Sequence, residues 1–132
     1  MSNENNQHLE NLKKPMKTIL LVEDDSIISE LLIQMITQET PYNVCSAPNA
    51  LVALELIKNI KPQLLILDYW LPFIQGIELY DRLHNTEGLE EVPAIMLSVN
   101  APLREIKQRQ MTYIRKPFDM PRLLDAIHRL IA

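Results

Sequence analysis

Four groups of polar residues stand directly behind short apolar runs, and their types complement one another. Glu23, Asp24 and Asp25 follow Ile19–Val22, and Asp68 follows Leu64–Leu67. Ser98 follows Ala94–Leu97, while Arg115, Lys116 and Pro117 follow Tyr113-Ile114. Short apolar runs bounded by charges or prolines fit strands of a parallel sheet covered on both faces. In an open parallel sheet, ligands bind beyond the carboxyl ends of the strands, so carboxylates, hydroxyl and ammonium would share one edge. Glu23, Asp24 and Asp68 repel one another unless a cation binds, and hard oxygen donors without His or Cys suit Mg²⁺. The metal would neutralise a phosphoryl group approaching Asp68, whose carboxylate can act as nucleophile. Ser98 could hydrogen-bond one phosphoryl oxygen and Lys116 could pair with another. Phosphoryl transfer demands mainly positioning and charge stabilisation, and this inventory supplies both.

Each feature has a plainer reading when taken alone. An acidic triplet such as Glu23-Asp24-Asp25 is most often a solvated turn with a helix cap. Ser98 would be a loop hydroxyl, and Lys116-Pro117 a strand-to-helix turn. Asp68 resists such a reading, because a charge behind a buried run is costly without a purpose. His8, His84 and His128 have no paired spacing and read as solvated; Trp70 and Phe73 read as partial core. The placement of all four polar groups behind separate apolar runs favours the chemical reading.

The elements that must position these residues alternate along the chain. Five apolar runs, with Val44-Cys45 as the remaining one, are separated by helical stripes. Ile27, Ile28, Leu31, Leu32, Met35 and Ile36 recur at helix spacing, with Asp25 or Ser26 placed as cap. Ala50, Ala53, Leu54 and Ile57 form a second stripe, and Ile77, Leu79, Tyr80 and Leu83 a third after Gly76. Leu103 to Gln110 is short, charged and poorly striped. Leu123, Leu124, Ile127, Leu130 and Ile131 make the last helix, with Pro121 near its first turn. Strands alternating with helices imply right-handed crossovers and a three-layer α/β sandwich. Residues 1–16 are polar and aperiodic and read as a flexible tail; residues 17–132 form the domain.

Composition closes off several classes of function. A chain of 132 residues holds one core, and 47% hydrophobic content is that of an ordinary soluble chain. A net charge of −4 and a pI near 5.3 argue against nucleic acid as partner. Cys45 is the only cysteine, which excludes an internal disulfide. No apolar run reaches membrane-spanning length and the start lacks a signal peptide's apolar region, so the expected location is the cytoplasm.

The chain resembles the receiver domain of two-component response regulators over about Lys17 to Ala132. The matching stretches are Ile19-Leu-Leu-Val-Glu-Asp-Asp, Pro62-Gln-Leu-Leu-Ile-Leu-Asp68-Tyr-Trp-Leu-Pro72 with Gly76, Pro93-Ala-Ile-Met-Leu-Ser98, and Lys116-Pro-Phe118. Their order and spacing together are specific. The resemblance implies a flavodoxin-like five-stranded parallel sheet in the order 2-1-3-4-5. It implies Asp68 as phosphoacceptor, with Glu23, Asp24, Asp68 and the backbone carbonyl of Trp70 around Mg²⁺. Ser98 matches the switch hydroxyl, Tyr113 the aromatic that changes rotamer with it, and Lys116 the conserved-type lysine, whose bond to Pro117 is often cis in this family. Trp70, Val99 and Asn100 fall where they would modulate the site. The partners implied are a sensor histidine kinase or histidine phosphotransfer protein and a downstream protein target, with homodimerisation left open.

The sequence also departs from the family pattern. The stretch between Ser98 and Lys116 is about one helical turn short, and the usual Gly-Ala before the last strand is missing, which puts the customary output and dimerisation surface in question. Val99 replaces a smaller residue and could crowd phosphoryl entry. The expectation is a stand-alone receiver that switches partner binding and is no enzyme beyond its own phosphoryl chemistry, since no effector segment follows within the chain. The alternative is a phosphorylation-independent interaction module of the same fold. A metal-dependent phosphatase fits less well, because Trp70 stands where haloacid-dehalogenase-like enzymes place a second Asp, and the two glycines, Gly76 and Gly88, form no phosphate loop.

Overall fold

The apolar runs become five parallel strands: β1 (Thr18–Val22), β2 (Asn43–Ala47), β3 (Leu64–Leu67), β4 (Ala94–Ser98) and β5 (Thr112–Arg115). The computed structural model describes residues 16–131, so the tail expected over residues 1–16 lies, apart from Met16, outside the described residues, as does Ala132. The sheet order is β2-β1-β3-β4-β5, with every pairing parallel. Between the strands run α1 (Ser26–Glu39), α2 (Ala50–Leu56), α3 (Gly76–His84) and α4 (Leu103–Gln108); α5 (Met120–Ile131) closes the chain.

Alternation along the central strands divides the core into two layers. Leu20, Val22, Leu65 and Leu67 face the layer built with Ala50, Ala53, Leu79, Leu83 and Ile106. Ile19, Leu21, Leu64 and Ile66 face Leu32, Ile36, Leu123 and Ile127 on the other side. All four residues of β3 are fully buried. Each such aliphatic side chain contributes about 1.5–3 kcal/mol on leaving water, which makes β3 a rigid base for whatever follows it. Asp25 caps α1, its carboxylate accepting from the amides of Ile27 (2.9 Å) and Ile28 (3.2 Å). Asn49 does the same for α2, accepting from Val52 at 3.0 Å.

Several expectations need correction. Ile27 is 78% and Leu31 50% exposed. The seam that α1 buries runs through Leu32 and Ile36, and Ile27 and Leu31 lie one position, about 100°, round the helix from it. Trp70 and Phe73 are not core: they are 56% and 78% exposed, in the loop that leaves the end of β3. Phe73 takes a left-handed backbone at φ 71°, a conformation costing a bulky residue about 1–3 kcal/mol. His84 is half-buried rather than solvated, with Nε2 2.7 Å from the Val92 carbonyl and its ring 4.0 Å from that of Tyr80. The loop returning from α3 to β4 brings Val92 there. β2 extends beyond Val44-Cys45 because an edge strand is held by ladder bonds to β1 and needs fewer buried positions.

Candidate functional site

The ladder itself delivers two acids to the carboxyl edge of the sheet. The Asp68 amide donates to Val22 O at 3.1 Å, prolonging β3 along β1, and the Glu23 amide donates to Ala47 O at 3.1 Å. Lys116 arrives from β5, its amide donating to Ser98 O at 2.9 Å. The three side chains meet: the Lys116 ammonium donates to Glu23 Oε1 and, at 3.2 Å, to Asp68 Oδ2. Both carboxylates are buried and the lysine is nearly so. The other Asp68 oxygen, Oδ1, accepts from the Trp70 amide at 3.1 Å. The Lys116–Pro117 peptide is cis, as the resemblance implies.

Burial pushes the Glu23 carboxyl up to about 7; Lys116 pulls it down, and neighbouring Asp68 adds to the rise. Burial works against the Lys116 ammonium too, but Glu23 and Asp68 together outweigh it and hold its pKa above the ordinary lysine value. The lysine is therefore a firmly charged group facing two carboxylates that compete for it.

Asp24 is exposed, yet Glu23, Asp24 and Asp68 each offer an oxygen within 4.8 Å of the others. Three hard oxygen donors with one ammonium among them leave uncompensated negative charge, a donor set that fits Mg²⁺ retaining several waters. A cleft of about 240 Å³ opens beside them, lined by Glu23, Asp24, Ser26, Ser29 and Glu30 among others.

The loop after β4 forms the other wall. Ser98 is fully buried, and its hydroxyl donates to Asn100 O at 3.2 Å. The Trp70 indole Nε1–H donates to the same carbonyl at 2.9 Å. The Tyr113 hydroxyl, half-buried on β5, donates to Ser98 O (3.1 Å) and Val99 O (3.2 Å). Val99 is half-exposed and Asn100 exposed. Glu23, Asp68 and Lys116 are thus in direct contact, with Asp24 adjoining them. Ser98, Val99, Asn100, Tyr113 and Trp70 form a second connected group, joined to the first through the Trp70 amide.

One pair of residues escaped the sequence reading. Arg109 grips Asp81 of α3 with Nε and Nη2 at 2.8 and 2.9 Å. No local pattern joins positions 28 apart in the chain; the only signal was Arg109 placed just past a charged, weakly striped helix.

A family model describing the response regulator receiver domain matches residues 19–128. The chain is 35% identical over 118 residues to the probable transcriptional regulator ycf29 of Pyropia yezoensis, covering 86% of this chain and 53% of that protein. It thus spans about half the length of that relative. It is 26% identical over 120 residues to sporulation initiation phosphotransferase F of Bacillus subtilis, covering 88% of this chain and 95% of the relative. Among solved structures, the signal receiver domain of an HD domain-containing protein from Pseudomonas fluorescens Pf-5 superimposes with a TM-score of 0.80 at 27% identity, covering 89% and 95% of the two chains.

Proposed function

The chain belongs to the response regulator receiver domain family, and from that premise we propose that it accepts a phosphoryl group on Asp68. The donor is a sensor histidine kinase or a histidine phosphotransfer protein, the partners with which receiver domains interact, and the response is a change in which protein the domain binds. The observation that carries this reading is the setting of Asp68: a buried carboxylate fixed at the end of β3 between the Lys116 ammonium and the Trp70 amide. In the transfer, the phosphorus–nitrogen bond of the partner's phosphohistidine breaks as a phosphorus–oxygen bond to Asp68 forms. The ring nitrogen keeps the bonding electron pair.

Receiver domains generally bind Mg²⁺ at an acidic pocket; here Glu23, Asp24 and Asp68, with the Trp70 backbone carbonyl, would hold it. When bound, the ion supplies positive charge against the phosphoryl oxygens. Lys116 exchanges part of its contact with Asp68 for a phosphoryl oxygen and stays charged while doing so. The Ser98 hydroxyl leaves Asn100 O for another phosphoryl oxygen, and Tyr113, bonded to the carbonyls of Ser98 and Val99, follows the loop. Residues 17–132 act as one receiver unit without other enzymatic turnover, in the cytoplasm; no helix among the described residues is long and apolar enough to cross a membrane. The similarity to a sporulation initiation phosphotransferase supports a protein-to-protein role, either direct output or relay.

Incubation with phosphoramidate and Mg²⁺, followed by intact-mass measurement, tests the reading. One phosphoryl adduct on the wild type and none on Asp68→Asn is expected. An unlabelled wild type that still binds its target protein would support the phosphorylation-independent module instead.

A further inference from the structure

α4 is the least self-sufficient helix of the fold. It has six residues, its N-cap is Pro102 with no side-chain hydrogen bond, and Ile106 is its one buried residue. So short a helix does not persist on propensity alone. Two sets of contacts hold it, one beyond each end. Before α4, the Trp70 indole donates to Asn100 O at 2.9 Å, while the amide of the same Trp70 donates to Asp68 Oδ1 at 3.1 Å. After α4, Arg109 pairs with both oxygens of Asp81, and its carbonyl accepts from the Tyr80 hydroxyl at 3.1 Å. A further guanidinium bond, Nη1 to Glu105 O at 3.1 Å, turns that grip back onto the helix.

The two ends differ in kind. The bidentate Arg109–Asp81 pair is charge-assisted and anchored on α3, with no bond to Asp68. The Trp70–Asn100 bond is a single neutral one, made to a carbonyl that also accepts the Ser98 hydroxyl. The Asp68 carboxylate is thus linked by hydrogen bonds through Trp70 to one end of α4, while the side chains that hold the other end, Asp81 and Tyr80, make no bond to that carboxylate.

We infer that α4 is a lever, pivoting on Arg109 where it is fixed to Asp81 and Tyr80, with Trp70 as the positioning residue that latches its free end to Asp68. The trigger rests on the phosphoacceptor reading; the latch in the resting protein does not.

Site-resolved amide hydrogen exchange separates the two ends. The Ile106 amide, bonded to Pro102 O, reports the latched end; the Gln110 and Met111 amides, bonded to Lys107 O and Ile106 O, report the pivot. In the resting protein, Trp70→Phe keeps a ring and the backbone but loses the indole N–H. It is expected to speed exchange at Ile106 roughly three- to tenfold and leave Gln110 and Met111 within about twofold. Asp81→Ala is expected to give the reverse pattern. Equal acceleration at all three amides in both variants would overturn the lever, because α4 would then open as one unit. After phosphoramidate treatment of the wild type, Ile106 exchange is expected to change while Met111 exchange does not. Labelled Asp68 with unmoved Ile106 would sink the lever and spare the phosphoacceptor. Unlabelled Asp68 would sink the phosphoacceptor, and the resting variants would still decide the latch.

Discussion

Gly76 lies so close to Asp68 that a Cβ on it would come within 2.4 Å of the Asp68 carbonyl oxygen and 2.9 Å of Tyr69 Cα. The Gly76 amide also donates to Tyr69 O at 2.9 Å, fastening the first turn of α3 to the end of β3. Backbone cannot yield as a flexible side chain would. Gly76→Ala is therefore expected to cost about 1–3 kcal/mol in urea unfolding and to slow phosphoramidate labelling roughly tenfold or more by displacing the carboxylate. Lost stability with an unchanged labelling rate would show that the contact does not position Asp68.

Lys116 and Asp68 should affect metal-free stability in opposite directions. Lys116→Met leaves Glu23 and Asp68 buried without their cation, a loss expected to cost about 3 kcal/mol. Asp68→Asn removes a charge that disfavours ionised Glu23, so near neutral pH it should raise stability by up to about 1 kcal/mol. Urea melts in a chelator decide this. Destabilisation by both variants would contradict the balance of charge described above.

The grip of Arg109 on Asp81 has a pH signature. The hydrogen bond from Arg109 holds the Asp81 carboxyl below its ordinary value. With a lowered folded pKa, the pair's stabilisation is present above the unfolded value of 3.8 and lost as pH falls through the folded one. The stability gap between wild type and Asp81→Ala should hold steady from about pH 7 to about pH 5 and close below about pH 4. The pair is part-exposed, so the plateau should be no more than about 1 kcal/mol. A gap that widens in acid would rule the ion pair out.

Trp70 spans from the loop after β3 to that after β4, its indole on Asn100 O and its amide on the Asp68 carboxylate. Its bulk at this place should hinder water from reaching an aspartyl phosphate. Trp70→Asn is expected to speed hydrolysis roughly three- to tenfold, followed by loss of adduct mass after donor removal. An unchanged rate would mean that the ring serves contact with other proteins instead.

The alternation of textures made the sheet legible: Leu64–Leu67 is a strand over the same residues in sequence and structure, because burial on both faces leaves no polar position to blur its ends. The same regularity placed Glu23, Asp68 and Lys116 at one edge. Exposure was harder to read. Ile27 and Leu31 satisfy helix spacing yet face solvent, since apolar type does not say which of two adjacent stripes meets the sheet. His84 on Val92 O and Arg109 on Asp81 depend on where loops return in space, and no periodicity encodes that. Nor could spacing reveal that Lys116 divides its ammonium between two acids, or that Trp70 and Ser98 share one carbonyl acceptor.

The most direct test of a phosphoryl site at Asp68 is peptide-level mass spectrometry after phosphoramidate treatment, in Mg²⁺ and in chelator. The account predicts a base-labile, hydroxylamine-sensitive adduct confined to the peptide bearing Asp68, abundant with Mg²⁺, scarce without it, and reduced in Lys116→Met. An adduct on another residue, or one formed equally well in chelator, would contradict it.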